Sequence, residues 1–298
     1  MRTSRVPKHP LGLIAGAGEL PRAIAAAAKE SGRDLAGVAF RGITDPEFEA
    51  GVDRITWLSP GQVGAALGFL AKSGVEEAVL AGKVSKQDLV SGHLEVDDRG
   101  RALLAALSDL RDGTVLAALA MALEAEGIEL RPQAELVPEL VAQEGVLGRV
   151  NPTPEQVRDV SFAWPIARAI AALDVGQTLA VHQRAVVAVE ALEGTDETIR
   201  RAGKLGRSGL CIVKVARPEQ DPRFDLPAIG PGTLEAAALA GVGAVAIEAG
   251  GTLVLDREAV VARADSSGIA LLGVPAGGPQ PPRDEAGADQ AGADGDGD

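Results

Sequence analysis

Five short segments of this chain place residues capable of chemistry where an apolar run ends and a loop begins. Gly16-Ala17-Gly18-Glu19-Leu20-Pro21 is a glycine-rich turn between a strand-like run and a helix-like stretch. Glycines there allow a tight turn and let backbone N–H groups approach a phosphate, and the helix N-terminus behind them favours negative charge. Pro21 stands in place of the third glycine of the dinucleotide fingerprint. The second strand-like run, ending Val38-Ala39-Phe40, continues into Arg41 rather than into an acid for a ribose hydroxyl. These departures argue against NAD and leave phosphate or nucleotide binding beside a purely structural tight turn. A second loop, Ala81-Gly82-Lys83-Val84-Ser85-Lys86, also leaves a buried-strand pattern. Ligands bind at the carboxyl ends of strands in open α/β sheets, so Lys83 could meet a diphosphate as a point charge and Ser85 could donate a hydrogen bond. Read alone, the segment is equally a surface turn.

Three further segments cluster polar residues at strand ends: Leu173-Asp174-Val175-Gly176-Gln177, Glu190-Ala191-Leu192-Glu193-Gly194-Thr195-Asp196, and Asp221-Pro222-Arg223-Phe224-Asp225-Leu226-Pro227. Carboxylates in such places can hold Mg²⁺, which takes oxygen ligands, keeps several waters and bridges substrate phosphates. Thr195 and Asp196 equally suit the cap of a following helix. Asp225 lies between apolar neighbours and before Pro227, where a routine solvated charge is out of place. It reads as a site residue, with a structural pair to Arg223 as the alternative. The other usual groups point elsewhere. His9, His93 and His182 lack metal-ligand spacing, and Cys211 sits inside the apolar run LCIVKV as a core residue. No GxSxG or Walker A pattern occurs, and Asp97-Asp98 reads as a solvated turn.

The elements that must position these residues follow from patterning. Apolar residues make up 46% of the 298 but aromatics only 2%, so the core is built from Ala, Val, Leu and Ile. From Leu11 onward short apolar runs alternate with helix-length amphipathic stretches, the pattern of βαβ units and a mainly parallel sheet. The reading is two α/β domains. A Rossmann-like nucleotide-binding domain spans residues 1–131, with strands at Leu11–Gly16, Leu35–Phe40, Asp53–Leu58 and Glu77–Ala81 and helices at Pro21–Lys29, Gln62–Lys72, Leu103–Leu110 and Thr114–Glu126. A Pro- and Gly-bearing linker covers 132–153, and a second α/β domain covers 154–275, opening with a helix capped by Thr153. Residues 276–298 hold six acidic residues against one arginine and no apolar period, so a disordered tail is expected. The net charge of −13 argues against nucleic acid as a partner. One cysteine excludes a disulfide framework and fits a cytoplasmic setting. No window approaches the roughly 20 apolar residues of a membrane span.

The ordered blocks LGLIAGAGELP, AGKVS, DVGQTLAVHQRAVVAVEALEGTDETIRRAG, KVARPEQDPRFDLPAIG and AGVGAVAIEAGGTLVLDREAVVARADSSGIALLGV resemble one family from about Leu11 to Val274. It is the LpxI-type UDP-2,3-diacylglucosamine pyrophosphatases of lipid A biosynthesis. The EGTD and DLP-x-IG blocks, in that order, carry the resemblance. It implies two α/β domains with the ligand site between them and a divalent-metal-dependent hydrolysis of the substrate's diphosphate, giving UMP and 2,3-diacylglucosamine 1-phosphate. Asp225 takes the position of the family's essential aspartate, holding the metal or orienting the attacking water. Gly16, Gly18, Glu19 and Leu20 would contact nucleotide or diphosphate, and Lys83, Ser85, Asp174, Gln177, Thr195, Asp196 and Lys214 would be further ligand contacts. Lys83 departs from the polar amide often expected there, and the acidic tail has no expected counterpart. A homodimer and a peripheral contact with the inner membrane remain open. The alternative from another class is a non-catalytic UDP-sugar or lipid-binding sensor using the same loops.

Overall fold

The computed structural model describes residues 9–84, 94–108, 112–205, 208–218, 221, 223 and 226–279. In chain order the elements are β1 (Leu11–Ala15), α1 (Leu20–Glu30), β2 (Leu35–Phe40), β3 (Arg54–Leu58), α2 (Val63–Lys72), β4 (Glu77–Ala81), α3 (Asp98–Ala106), α4 (Asp112–Ala125) and β5 (Glu129–Leu130). They continue with α5 (Gln133–Leu136), β6 (Gly145–Val146), α6 (Pro154–Ala172), β7 (Thr178–His182), β8 (Ala185–Val189), α7 (Thr195–Leu205) and β9 (Leu210–Lys214). The remainder are β10 (Ala228–Ile229), α8 (Pro231–Leu239), β11 (Val242–Glu248), β12 (Leu253–Val254), α9 (Arg257–Ser266) and β13 (Ala270–Val274). Cα packing divides the chain into two units.

The first unit comprises Met1–Ala142, Pro218–Gly232 and Gly251–Val260. Its five-stranded sheet has the order β3-β2-β1-β4-β5, every neighbour pair parallel, which is a doubly wound order with its reversal between β1 and β4. Alternation along the strands supplies both faces. Leu11, Leu13, Leu35 and Val79 pack with Leu20, Ile24 and Phe48 on one side, while Ile14, Val38, Ala78 and Leu80 pack with Leu67, Leu70 and Leu123 on the other. Because both faces are covered, β1 is buried throughout and reads as a continuous apolar run. Burial of each such Leu or Ile is worth about 1.5–3 kcal/mol.

The second unit comprises Gln143–Arg217, Thr233–Gly250 and Val261–Asp298. Its six-stranded sheet has the order β6-β13-β11-β9-β7-β8, in which β9, β11 and β13 are parallel and β6, β7 and β8 pair antiparallel. Thr153 caps α6 in a capping box with Gln156, as the sequence pattern predicts. The stripe Val160, Ala163, Trp164, Ala167 and Ala171 lays that helix on the sheet. The hairpin from β7 to β8 turns through Gln183 and Arg184, both with positive φ (50° and 58°). The Asp159 carboxylate accepts from both turn amides, at 2.8 and 2.7 Å, and holds this conformation without the glycine such turns favour.

Four features differ from the sequence-based expectation. The expected linker, 132–153, includes Gln133 and Val137, which are buried in the first unit. The expected contiguous second domain is interrupted, since β10 and β12 pair with each other inside the first unit. Asp97 is the cap of α3, accepting from Gly100 N at 2.7 Å, so the helix starts five residues before the expected Leu103. Immediately after β13, Ala276 O accepts from Trp164 Nε1 at 3.2 Å, so the chain stays on the core past the expected tail boundary. Each contact joins residues far apart in sequence or rests on a cap rather than on apolar periodicity.

Candidate functional site

The structure gathers the candidate residues into two groups, one in each unit. In the first unit the loops after β1 and β4 meet. Ala17 N donates to Lys83 O at 2.8 Å and Lys83 N donates to Ala17 O at 2.9 Å, while Gly16 N donates to Ala81 O at 2.7 Å. Only glycine tolerates this approach at two positions. A Cβ on Gly16 would lie 2.7 Å from Lys83 O, and one on Gly82, at φ +83°, would lie 2.6 Å from Ala17 O. Gly18 (φ +99°) then turns the chain into α1, whose start has no side-chain cap and carries Pro21 in its first turn. Gly18 and Glu19 are exposed, Leu20 is buried beneath them, and Lys83 is exposed. An uncapped helix start facing solvent at a strand's carboxyl end is suited to an anion.

Thr44 supports this turn, and sequence reasoning passed over it. Its hydroxyl donates to Ala15 O, the residue before Gly16, and accepts from Phe40 N at 2.8 Å. At 4% exposure it ties together the carboxyl ends of β1 and β2. The segment around Asp225 belongs to the same unit by its described flanks. Leu226 and Ala228 pack against the cluster containing Leu20 and Leu253, and a Cβ on Gly230 would lie 3.6 Å from Glu19 Oε2. Arg223 forks onto Asp221, with Nη2 to Oδ2 at 2.7 Å, and reaches Glu124 at 2.8 Å. Asp225 and Ser85 themselves, with His93, lie outside the described residues.

In the second unit, parallel β9 and β11 end at Lys214 and Glu248, and antiparallel β7 begins opposite Lys214 at Thr178. Lys214 is 5% exposed. Its ammonium donates to Thr195 Oγ1 at 2.8 Å and Thr178 Oγ1 at 3.3 Å, with Glu190 Oε2 at 4.0 Å. Thr195 Oγ1 in turn donates to Glu190 Oε1 at 3.0 Å, and Gln177 N donates to Glu190 Oε2 at 3.3 Å. Burial pushes the Glu190 carboxyl up, but the Lys214 charge and the hydrogen bonds from Thr178, Thr195 and Gln177 together outweigh it and leave it below the usual range. Sequence reasoning named Lys214, Thr195 and Gln177 but not Thr178, and it took Glu190 only as part of a loop.

Asp196 accepts from Thr233 Oγ1 at 2.9 Å, and Asp174 has φ +57° and pairs with Arg217 at 2.9 Å. Asp196 lies in the first turn of α7 and Asp174 just beyond the end of α6. Glu248 was also missed; it is buried and holds Arg168 at 2.9 Å and Ala216 N at 3.0 Å. Its only sequence signal is an acid closing an apolar strand. Cys211 is a core residue whose thiol burial, with the Asp159 charge, pushes up to about 12. Among the described residues no group of three or more His, Cys, Asp and Glu assembles into a metal site. A single carboxylate with diphosphate oxygens and waters is nonetheless a donor set that Mg²⁺ accepts.

Comparison with known proteins decides the family. Sequence models of the LpxI N-terminal domain and the LpxI C-terminal domain match residues 10–140 and 143–272. The chain belongs to the LpxI family. A relative described as UDP-2,3-diacylglucosamine pyrophosphatase LpxI, from Caulobacter vibrioides, is 37% identical over 277 residues, covering 89% of this chain and 97% of that protein. Among solved structures, N5-carboxyaminoimidazole ribonucleotide synthetase in its ADP complex is 17% identical with a TM-score of 0.27, over 61% of this chain and 34% of that one. The biotin carboxylase subunit of pyruvate carboxylase is 14% identical with a TM-score of 0.26, over 68% and 44%. At those scores neither likeness bears on fold or function.

Proposed function

We propose that the protein hydrolyses the diphosphate of UDP-2,3-diacylglucosamine in lipid A biosynthesis. The observation that carries this reading is 37% identity to the LpxI pyrophosphatase over nearly the whole of both chains. Water attacks the phosphorus on the uridine side, the bond from that phosphorus to the bridging oxygen breaks, and UMP and 2,3-diacylglucosamine 1-phosphate leave. The turn Gly16–Leu20, exposed at Gly18 and Glu19, and the neighbouring exposed Lys83 suit the diphosphate, through amides at an uncapped helix start and one positive charge. In the second unit Gln177, Thr195 and Lys214, with Asp174 and Asp196 at the adjoining helix ends, form the further contact group. Asp225 orients the attacking water or holds Mg²⁺, and a bound Mg²⁺ would supply charge neutralisation on the diphosphate. The reaction is assigned to the cytoplasm, at or near the inner membrane where a diacylated substrate resides.

The test is direct. Purified protein with UDP-2,3-diacylglucosamine and Mg²⁺ is expected to release UMP. Binding without any product would support the sensor reading instead, and release of UDP would indicate transfer chemistry.

A further inference from the structure

A diacylated substrate resides in a bilayer, yet among the described residues no helix is long and apolar enough to cross a membrane. If the protein reaches its substrate there, a surface element has to meet lipid. Two adjoining loops of the second unit carry large aliphatic side chains into solvent. Leu192 is 94% exposed, Leu173 75% and Val175 49%. The loops touch, since a Cβ on Gly176 would lie 2.1 Å from the backbone Glu190 O, and Gln177 N donates to the Glu190 side chain at Oε2. Val175 is one residue from that contact, Leu192 two and Leu173 three, which places all three on adjoining loops of this unit. Exposed apolar residues grouped in this way mark an interaction site rather than ordinary surface.

Charge selects the occupant. The chain carries −13 overall, which repels an anionic surface. At this tip, however, three carboxylates face cations within the fold, and a fourth, Asp196, accepts from the Thr233 hydroxyl. Asp174 pairs with Arg217, Glu190 with Lys214 and Glu193 with Arg201. The tip therefore offers aliphatic side chains with a rim whose charges are largely compensated, which suits a zwitterionic headgroup layer better than an anionic one. The same edge carries Gln177, Thr195 and Lys214, so docking there would bring the candidate contacts of this unit to the membrane surface.

We infer that Leu173, Val175 and Leu192 form a docking tip that inserts into the interfacial layer of a phospholipid bilayer. The inference rests on the proposed activity toward a diacylated substrate, but its test is read independently of turnover. The full chain is sedimented with phosphatidylcholine vesicles lacking substrate, as wild type, as Leu173→Ser/Val175→Ser/Leu192→Ser, and as Leu205→Ser/Leu239→Ser. The last pair removes two exposed leucines at the ends of α7 and α8, outside the tip. Expected is vesicle partitioning of wild type and of the Leu205/Leu239 variant, with a loss of at least about tenfold in the tip variant and unchanged circular dichroism and thermal midpoint. With substrate in vesicles the tip variant then releases UMP more slowly, while with substrate in detergent micelles its rate matches wild type.

The inference is overturned if wild type does not partition, or if the tip variant partitions equally. It is also overturned if the tip variant alone changes oligomeric state, which would make a second copy the occupant. An equal loss of rate in micelles would assign the loops to substrate acyl chains instead. Partitioning without UMP from any preparation would instead overturn the proposed reaction and leave the tip standing.

Discussion

Ala17 and Lys83, 66 positions apart in the chain, exchange two backbone hydrogen bonds at 2.8 and 2.9 Å. The pair joins the loops that leave β1 and β4, the neighbouring strands at which the sheet order reverses. That is the place where open α/β sheets bind ligands, and here the two loops are held as one unit by glycines that let their backbones touch.

Glycine substitutions at this junction should separate sterics from backbone strain. Gly16→Ala puts a methyl 2.7 Å from Lys83 O, and Gly82→Ala combines a 2.6 Å clash with φ +83°. Gly18→Ala meets nothing within 4 Å and bears only its φ of +99°, a cost of about 1–2 kcal/mol. Urea unfolding should rank Gly82→Ala as the most damaging and Gly18→Ala as the mildest.

Thr44→Val should strand a buried carbonyl and amide, at a cost of about 1–3 kcal/mol, while Thr44→Ser keeps both bonds. If Thr44 positions the Gly16 turn for substrate, Thr44→Val also raises KM more than it lowers kcat. Serine restores both parameters.

The Glu190–Lys214 pair has a signed pH dependence. The Glu190 carboxyl is held below its ordinary value of about 4.3, so its contribution is present above that value and is lost as pH falls through the lower folded value. Glu190→Gln should flatten the loss of unfolding free energy in that acid range. Lys214→Met leaves a largely buried carboxylate unpaired and should cost about 3–5 kcal/mol at pH 7, read by chemical denaturation.

Asp225→Ala should abolish UMP release while leaving the thermal midpoint and substrate binding close to wild type. Unfolding of that variant would favour the structural-pair reading with Arg223. Chelation by EDTA should likewise stop turnover and be reversed by Mg²⁺, with little change in thermal midpoint, since no metal cluster ties the described residues together.

Asp159→Ala removes the acceptor for the amides of Gln183 and Arg184 and should lower stability by about 2 kcal/mol. Arg184→Gly relieves one positive φ (58°) and should raise the thermal midpoint, partly rescuing Asp159→Ala.

Patterning alone determined a good deal. The apolar runs that became β1, β2, β3 and β4, the Thr153 cap, and the loops that leave β1 and β4 were all legible. Each is encoded locally, because burial on both faces makes a strand continuously apolar, and a cap acts on amides two or three residues away. Only tertiary structure decided that Ala17 meets Lys83, that Thr44 holds Ala15, and that Glu190 neutralises Lys214 from 24 residues away. It alone showed that the residues flanking Asp225 pack with the first unit. The physical reason is that hydropathy records whether a side chain is buried, whereas its partner is set by strand order and crossovers, which bring distant strand ends to one edge.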